Sequence, residues 1–275
     1  MMKRSTDGRQ RVLSLSYGKD SMACLGAIEA LGWPLDRIVT AEIWATDDIP
    51  ADLPPMVEFK AYADRVIQER YGIEVEPFVC NKLYGIKKEK VTYDDIFYRQ
   101  KEKGKYQEAG RAIYGFPILR GPWCQKLKTK AIERMIGKGD IQYIGIAADE
   151  PNRFHDLSGT KLSPLVEIGW TEQDARKWCE ENNLLSPIYT KSTRGGCWFC
   201  HNQGIGQLRL LRQEYPELWA LLLKWDADSP VRFKADGHTV HDYDRRFALE
   251  DEGFLVPGEP FKWSTLDGNL QYRFF

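Results

Sequence analysis

The sequence predicts an α/β fold with a doubly wound, mostly parallel sheet, followed by a helical, cysteine-containing C-terminal extension. Three observations carry that expectation. Short apolar runs alternate with segments whose apolar residues recur at helical spacing, the pattern of parallel strands joined by helical crossovers. Glycine and proline mark the boundaries between them, as in Gly32-Trp33-Pro34 and at Gly72. The first apolar run leads directly into a Gly-Lys turn at a helix N-terminus, a junction that attracts anions. Residues 1–190 are expected to form the α/β domain, with an insertion at about 80–118, and 191–275 the extension.

In chain order, Arg11–Leu15 reads as a strand and Asp20–Leu31 as a helix, on the spacing of Met22, Leu25, Ile28 and Leu31. After the break at Gly32, Ile38–Ile43 is the next strand. Pro54 and Pro55 open a helix in which Met56, Phe59, Ala63, Val66 and Ile67 form one stripe, closed by Gly72. Ile73–Val79 alternates as a strand, and Pro77, which has no N–H for a ladder, puts it at a sheet edge. Residues 80–118 lose periodicity and are rich in Lys and Tyr, so they are expected near the mouth of a site. Ile141–Ala147 is a buried strand. Thr171–Asn183 is a helix with Thr171 as N-cap and Glu172 and Asp174 in its first turn. The stripe Leu208, Leu211, Tyr215, Leu218, Trp219, Leu222 and Trp225 reads as helical core. Cys24 and Cys179 fall on apolar helical faces and also read as core, and His155, His238 and His241 lack partners at motif spacing.

The turn Ser14-Leu15-Ser16-Tyr17-Gly18-Lys19-Asp20-Ser21 is the most specific chemical signal. Gly18 lets backbone come close to a phosphate, Ser16 and Ser21 offer hydroxyls, and Lys19 adds a point charge. A Walker loop needs Ser or Thr after the lysine, and here Asp20 follows, which implies a different phosphate chemistry. Asp20 can cap the helix or hold Mg²⁺ through the phosphates, and both readings stay open.

Charge and cysteine usage narrow the class. At 275 residues and a formal charge of −1, the chain can bury one sizeable core and offers no global attraction to nucleic acid. Local basic stretches, the Lys/Tyr insertion and Arg120–Lys138, fit a nucleic-acid contact and a solvated face about equally. No apolar run reaches the length of a membrane span, and the residues after Met1-Met2-Lys3-Arg4 are polar, so a cytoplasmic location without membrane contact is expected. Six cysteines, two of them in Cys197-Trp198-Phe199-Cys200 behind Gly195-Gly196, point to metal or sulfur chemistry rather than a disulfide framework.

The Ser16–Ser21 turn resembles the pyrophosphate loop of the adenine nucleotide α-hydrolase (PP-loop) superfamily, with Tyr17 where many members have a first glycine, as in its PAPS reductase-like branch. Further segments resemble that branch in the same order: Trp44-Ala45-Thr46-Asp47 after the second strand; Arg120-Gly121-Pro122-Trp123-Cys124 with Leu127-Lys128; Ile144-Gly145-Ile146-Ala147-Ala148-Asp149-Glu150 with Arg153; Ser163-Pro164-Leu165 before Trp170-Thr171-Glu172; and Ser186-Pro187-Ile188-Tyr189 before Gly196-Cys197.

The resemblance implies a PP-loop (HUP-like) sheet and ATP, with Mg²⁺, cleaved between its α- and β-phosphates to adenylate an acceptor. It places Ser14, Ser16, Tyr17, Gly18, Lys19, Asp20, Ser21, Thr46, Gly145, Asp149 and Arg153 around the nucleotide, with Lys19, Asp20 and Lys128 catalytic. It brings Cys124 to the Cys197/Cys200 pair, where three thiolates and His201 suit a [4Fe–4S] cluster or Zn²⁺. Unligated thiols are the third alternative. Sulfur transfer to a nucleobase of tRNA or DNA, with a sulfur-donor protein as partner, follows as the expected reaction, in a monomer or an oligomer. A sulfonucleotide reductase is the runner-up; relatives of that design use a cysteine near the C-terminus, and no cysteine follows Cys200 here. A nucleotide-binding subunit without turnover is the third reading.

Overall fold

The computed structural model describes residues 2–101, 113–118, 123–191, 195–259 and 261–263. Arg120, Gly121, Pro122, Arg194 and the tail from Asp267 lie outside the described residues. The chain forms two compact units, one of Met1–Asp95 with Trp123–Cys197 and one of Ile96–Pro122 with Trp198–Phe275. The stretch expected as one insertion is thus divided between them.

The first unit is built on a five-stranded parallel sheet in the order β3-β2-β1-β6-β7, comprising β1 (Arg11–Ser14), β2 (Arg37–Glu42), β3 (Val75–Val79), β6 (Ile141–Tyr143) and β7 (Lys161–Leu162). The chain steps outward from β1 to β3, then returns to the other side of β1 for β6 and β7. The direction of travel therefore reverses between β1 and β6, the place where open α/β sheets leave a crevice beyond their carboxyl ends.

Helices cover both faces. Side chains alternate along a strand, so Leu13 and Ile38 share one face and Val12 and Val39 the other, and all four are fully buried. On the Leu13 face lies a core shared with α1 (Lys19–Leu31), α2 (Pro54–Tyr71) and the helix Glu172–Glu181, through Met22, Leu25, Ile28, Phe59, Ile67 and Cys179. The helix Gln125–Met135 packs on β2 and β3 and buries Leu127 and Ala131. Gly32 and Gly72 end α1 and α2 in the left-handed conformation. Thr171 caps Glu172–Glu181 in a box closed by Asp174. As expected, β3 is an edge strand and Cys24 and Cys179 are core.

Two elements differ from expectation. The strand expected over Ile141–Ala147 ends at Tyr143; the Ile144 amide still donates to the Leu162 carbonyl at 3.0 Å, and at Gly145 the chain lies against the first turn of α1. Within 80–118, β4 (Lys82–Leu83) and β5 (Ile86–Lys87) form an antiparallel hairpin turned at Tyr84 and Gly85, both with positive φ, and α3 (Tyr93–Phe97) follows.

The second unit has an aromatic core. Trp198 stacks on Trp225 with ring centroids 5.6 Å apart, Phe97 stacks on Trp225 at 5.8 Å, and Phe116 meets Phe233 edge-on at 5.0 Å. Its helices run over Ile205–Glu214, Pro216–Asp228 and Val240–Asp251, and the expected leucine–tryptophan stripe is broken between the first two at Tyr215-Pro216. Among the described residues no helix is long and apolar enough to cross a membrane.

Candidate functional site

A cavity of about 850 Å³ opens in the first unit beyond the carboxyl end of β1. Of the residues singled out from sequence, Ser14, Ser16, Tyr17, Gly18, Asp20, Ser21, Lys128, Gly145, Arg153 and Cys197 line it. They come together because the loop after β1 and the loop after β6 meet across the reversal of the sheet. At the meeting point no side chain fits: a Cβ on Gly145 would stand 2.6 Å from the amide nitrogen of Ser21.

The loop is held from inside. Ser21 Oγ donates to the Gly18 carbonyl at 3.0 Å and accepts from the Ser16 amide at 3.1 Å, and it shares a 3.0 Å hydrogen bond with Ser16 Oγ. Ser21, expected to donate to a phosphate, is here a staple that shapes the turn. Tyr17 takes the left-handed conformation, φ 56°, and its ring is buried. Its hydroxyl donates to Asp64 of α2 at 2.7 Å, and Lys60 lies over the ring at 5.1 Å. A glycine would reach this φ without strain; the tyrosine is kept there by packing and by that hydrogen bond.

Charge in the mouth is balanced. Lys19 Nζ pairs with Asp20 at 2.7 Å and Glu172 at 3.5 Å. Burial works against its charge, but the hydrogen bond to Asp20 and the nearby Glu172 outweigh it and raise its pKa above the ordinary value. Burial likewise holds the Asp20 carboxyl above its ordinary range despite Lys19. Glu150 accepts from the Ala147 amide at 3.1 Å and pairs with Arg153 at 2.9 Å. Carboxylate oxygens of Asp20, Glu150 and Glu172 lie within 4.8 Å of one another, a trio that sequence reading did not single out as a set. Glu150 and Glu172 also line the cavity, as do Lys60 and Tyr189. In the sequence Glu172 stood in the Trp170-Thr171-Glu172 segment and as a first-turn acid favouring the helix dipole, with no site role assigned.

Other expected residues serve the frame. Lys19 is not among the lining residues, since its amine turns to the carboxylates. Thr46 Oγ1 accepts from the Ile49 amide at 3.1 Å within its own turn, and Asp149 accepts from the Glu172 amide at 2.9 Å. Neither lines the cavity. Cys124 immediately precedes the helix that carries Lys128, Cys197 ends the first unit, and Cys200 and His201 lie at the start of the second. These three cysteines are half-buried, whereas Cys24, Cys80 and Cys179 are fully buried. The half-buried set is the one that the sequence singled out as candidate metal ligands.

No family model matches the chain, and no curated protein matches it. Among solved structures, it is similar to U34-tRNA thiolase NcsA from Methanococcus maripaludis with its [4Fe–4S] cluster, at 14% identity over 90% of this chain and 73% of that chain, with a TM-score of 0.36. A likeness at that level bears on neither the chemistry nor the residues of this chain.

Proposed function

We propose that this protein binds ATP in the cavity beyond β1 and cleaves it to AMP and pyrophosphate while adenylating an acceptor, for sulfur transfer to a nucleobase. One observation carries the reading: a glycine-containing strand-to-helix turn without a Walker hydroxyl, at the reversal of a parallel sheet, with Lys128 and Arg153 converging on the same cavity. An acceptor carbonyl oxygen forms the new bond to the α-phosphorus, the bond to the bridging oxygen breaks, and pyrophosphate leaves with the electron pair; sulfide-level sulfur then attacks the activated carbon, the carbon–oxygen bond breaks, and AMP leaves with that oxygen. Lys128 and Arg153 offset charge on the phosphates. Lys19, held near the loop by Asp20 and Glu172, reaches the phosphates by exchanging those partners. The carboxylate trio receives the Mg²⁺ that accompanies ATP.

The Cys-x-x-Cys spacing of Cys197 and Cys200 behind Gly195-Gly196, with the segment resemblance that adds Cys124, and the neighbouring His201, support a [4Fe–4S] cluster or Zn²⁺ held by these residues. A cluster with one open iron would supply a place for the transferred sulfur. The acceptor is a nucleobase of tRNA or DNA and the sulfur comes from a donor protein, which the resemblance of the segments supports.

ATP affinity of loop variants tests the binding step. Gly18→Val and Lys19→Ala should each lower it with the fold retained, and unchanged binding in both would remove the loop from the site.

A further inference from the structure

The donors that sequence assigned to phosphate are largely engaged within the protein. Ser16 and Ser21 hydroxyls bond to each other and to the turn, and the Lys19 ammonium pairs with two carboxylates. One side chain facing the loop is differently placed. The Tyr189 hydroxyl accepts from the Lys19 amide at 3.2 Å, at the first position of α1, and its oxygen lies 3.4 Å from where a Cβ on Gly18 would stand. Among the described residues nothing accepts the phenolic proton, and Tyr189 lines the cavity with Lys128 and Arg153.

We propose that Tyr189 is a phosphate-binding residue of this loop: its oxygen is fixed by the Lys19 amide, and its hydroxyl donates into the cavity to a phosphate oxygen held at the turn. The proposal rests on the reading that the loop binds nucleotide phosphates. A hydroxyl that accepts from a helix N-terminal amide is polarised toward stronger donation. Burial raises the phenol's pKa, so the proton stays in place at neutral pH. The tyrosine thereby carries the α1 N-terminus one hydrogen bond further into the cavity and adds no charge beside the carboxylate trio.

The test is calorimetric titration of the full chain with inorganic pyrophosphate, ATP and adenosine, comparing wild type, Tyr189→Phe and Lys19→Ala. Loss of one hydrogen bond to a charged group corresponds to about tenfold or more in affinity. Tyr189→Phe should therefore weaken pyrophosphate and ATP by that factor and leave adenosine unchanged. Equal pyrophosphate affinity overturns the proposal. Tighter binding also overturns it, because the hydroxyl would then be occupying the anion's place. An equal loss for adenosine overturns it in favour of a structural role. Wild type that binds neither pyrophosphate nor ATP overturns the loop reading, and this proposal with it. Binding that Lys19→Ala weakens and Tyr189→Phe does not leaves the loop reading standing and removes Tyr189 alone.

Discussion

Gly145→Ala probes the meeting of the two loops. The new Cβ would lie 2.6 Å from Ser21 N, 2.8 Å from Asp20 C and 2.8 Å from Ser21 Cα. These are backbone atoms of the first turn of α1, so no rotamer change relieves the contact. Ordinary carbon contacts begin near 3.5 Å, so one backbone must retreat by about 0.9 Å. Overpacking of this kind costs about 1–3 kcal/mol of stability. The retreat also displaces an amide of the loop proposed to hold phosphate, and losing one hydrogen bond to a charged group, about 1.5–3 kcal/mol, should weaken ATP about tenfold to a hundredfold. Gly26→Ala is the control on the same helix, since its Cβ would stand 2.1 Å from Trp178 Nε1, away from the loop. Urea denaturation and ATP titration of both variants should show both destabilised and only Gly145→Ala impaired in binding. Gly145→Ala within about 0.5 kcal/mol of wild type with unchanged affinity, or equal affinity loss in both variants, refutes the reasoning.

Tyr17→Phe leaves Asp64 without its donor and should cost about 1–3 kcal/mol by denaturation; a loss under about 0.5 kcal/mol would mean that packing alone holds the strained residue. Burial works against the Asp36 carboxylate, but Ser5 and the Arg11 amide outweigh it and set its pKa below the ordinary 3.8. Its stabilising contribution is complete above pH 3.8 and is lost as pH falls through the lower folded value, so the stability gap between wild type and Asp36→Asn should close in that window. A gap constant down to pH 2 would contradict this. Replacing Cys124, Cys197 or Cys200 with Ser should strip most bound iron or zinc from anaerobically purified protein, while Cys24→Ser retains it. Equal metal content in all four variants rules out the shared site.

Sequence reading succeeded where local signals act alone. α1, α2 and the Glu172–Glu181 helix carry periodic apolar residues and their own caps, so Gly32, Gly72 and Thr171 marked ends of these helices within a residue or two. It failed where partners distant in sequence decide. β6 ends at Tyr143 and Gly145 lies against Ser21, and apolarity through Ala147 does not record that contact. Residues 96–118 join the second unit through Phe97 on Trp225 and Phe116 on Phe233, pairings without a periodic trace. The β4–β5 hairpin is two residues per strand, too short for alternation to register. At the site, the loop and Gly145, Lys128 and Arg153 were legible from their motifs. Glu150, Glu172 and Tyr189 fell inside the same resembling segments but were given no role there, because a turn acid, a first-turn acid and a tyrosine near a proline each have an ordinary local explanation. Thr46 and Asp149 lie outside the cavity lining, with their polar groups bonded within a turn and at a helix end.

The bond that breaks in ATP distinguishes adenylation from simple hydrolysis of the γ-phosphate. ATP labelled separately at the α- and γ-phosphates, incubated with Mg²⁺, anaerobically purified protein, unmodified tRNA or DNA as acceptor and sulfide as the sulfur source, should yield AMP and γ-labelled pyrophosphate together, with both lost in Lys128→Ala. ADP with free γ-labelled phosphate would contradict the account.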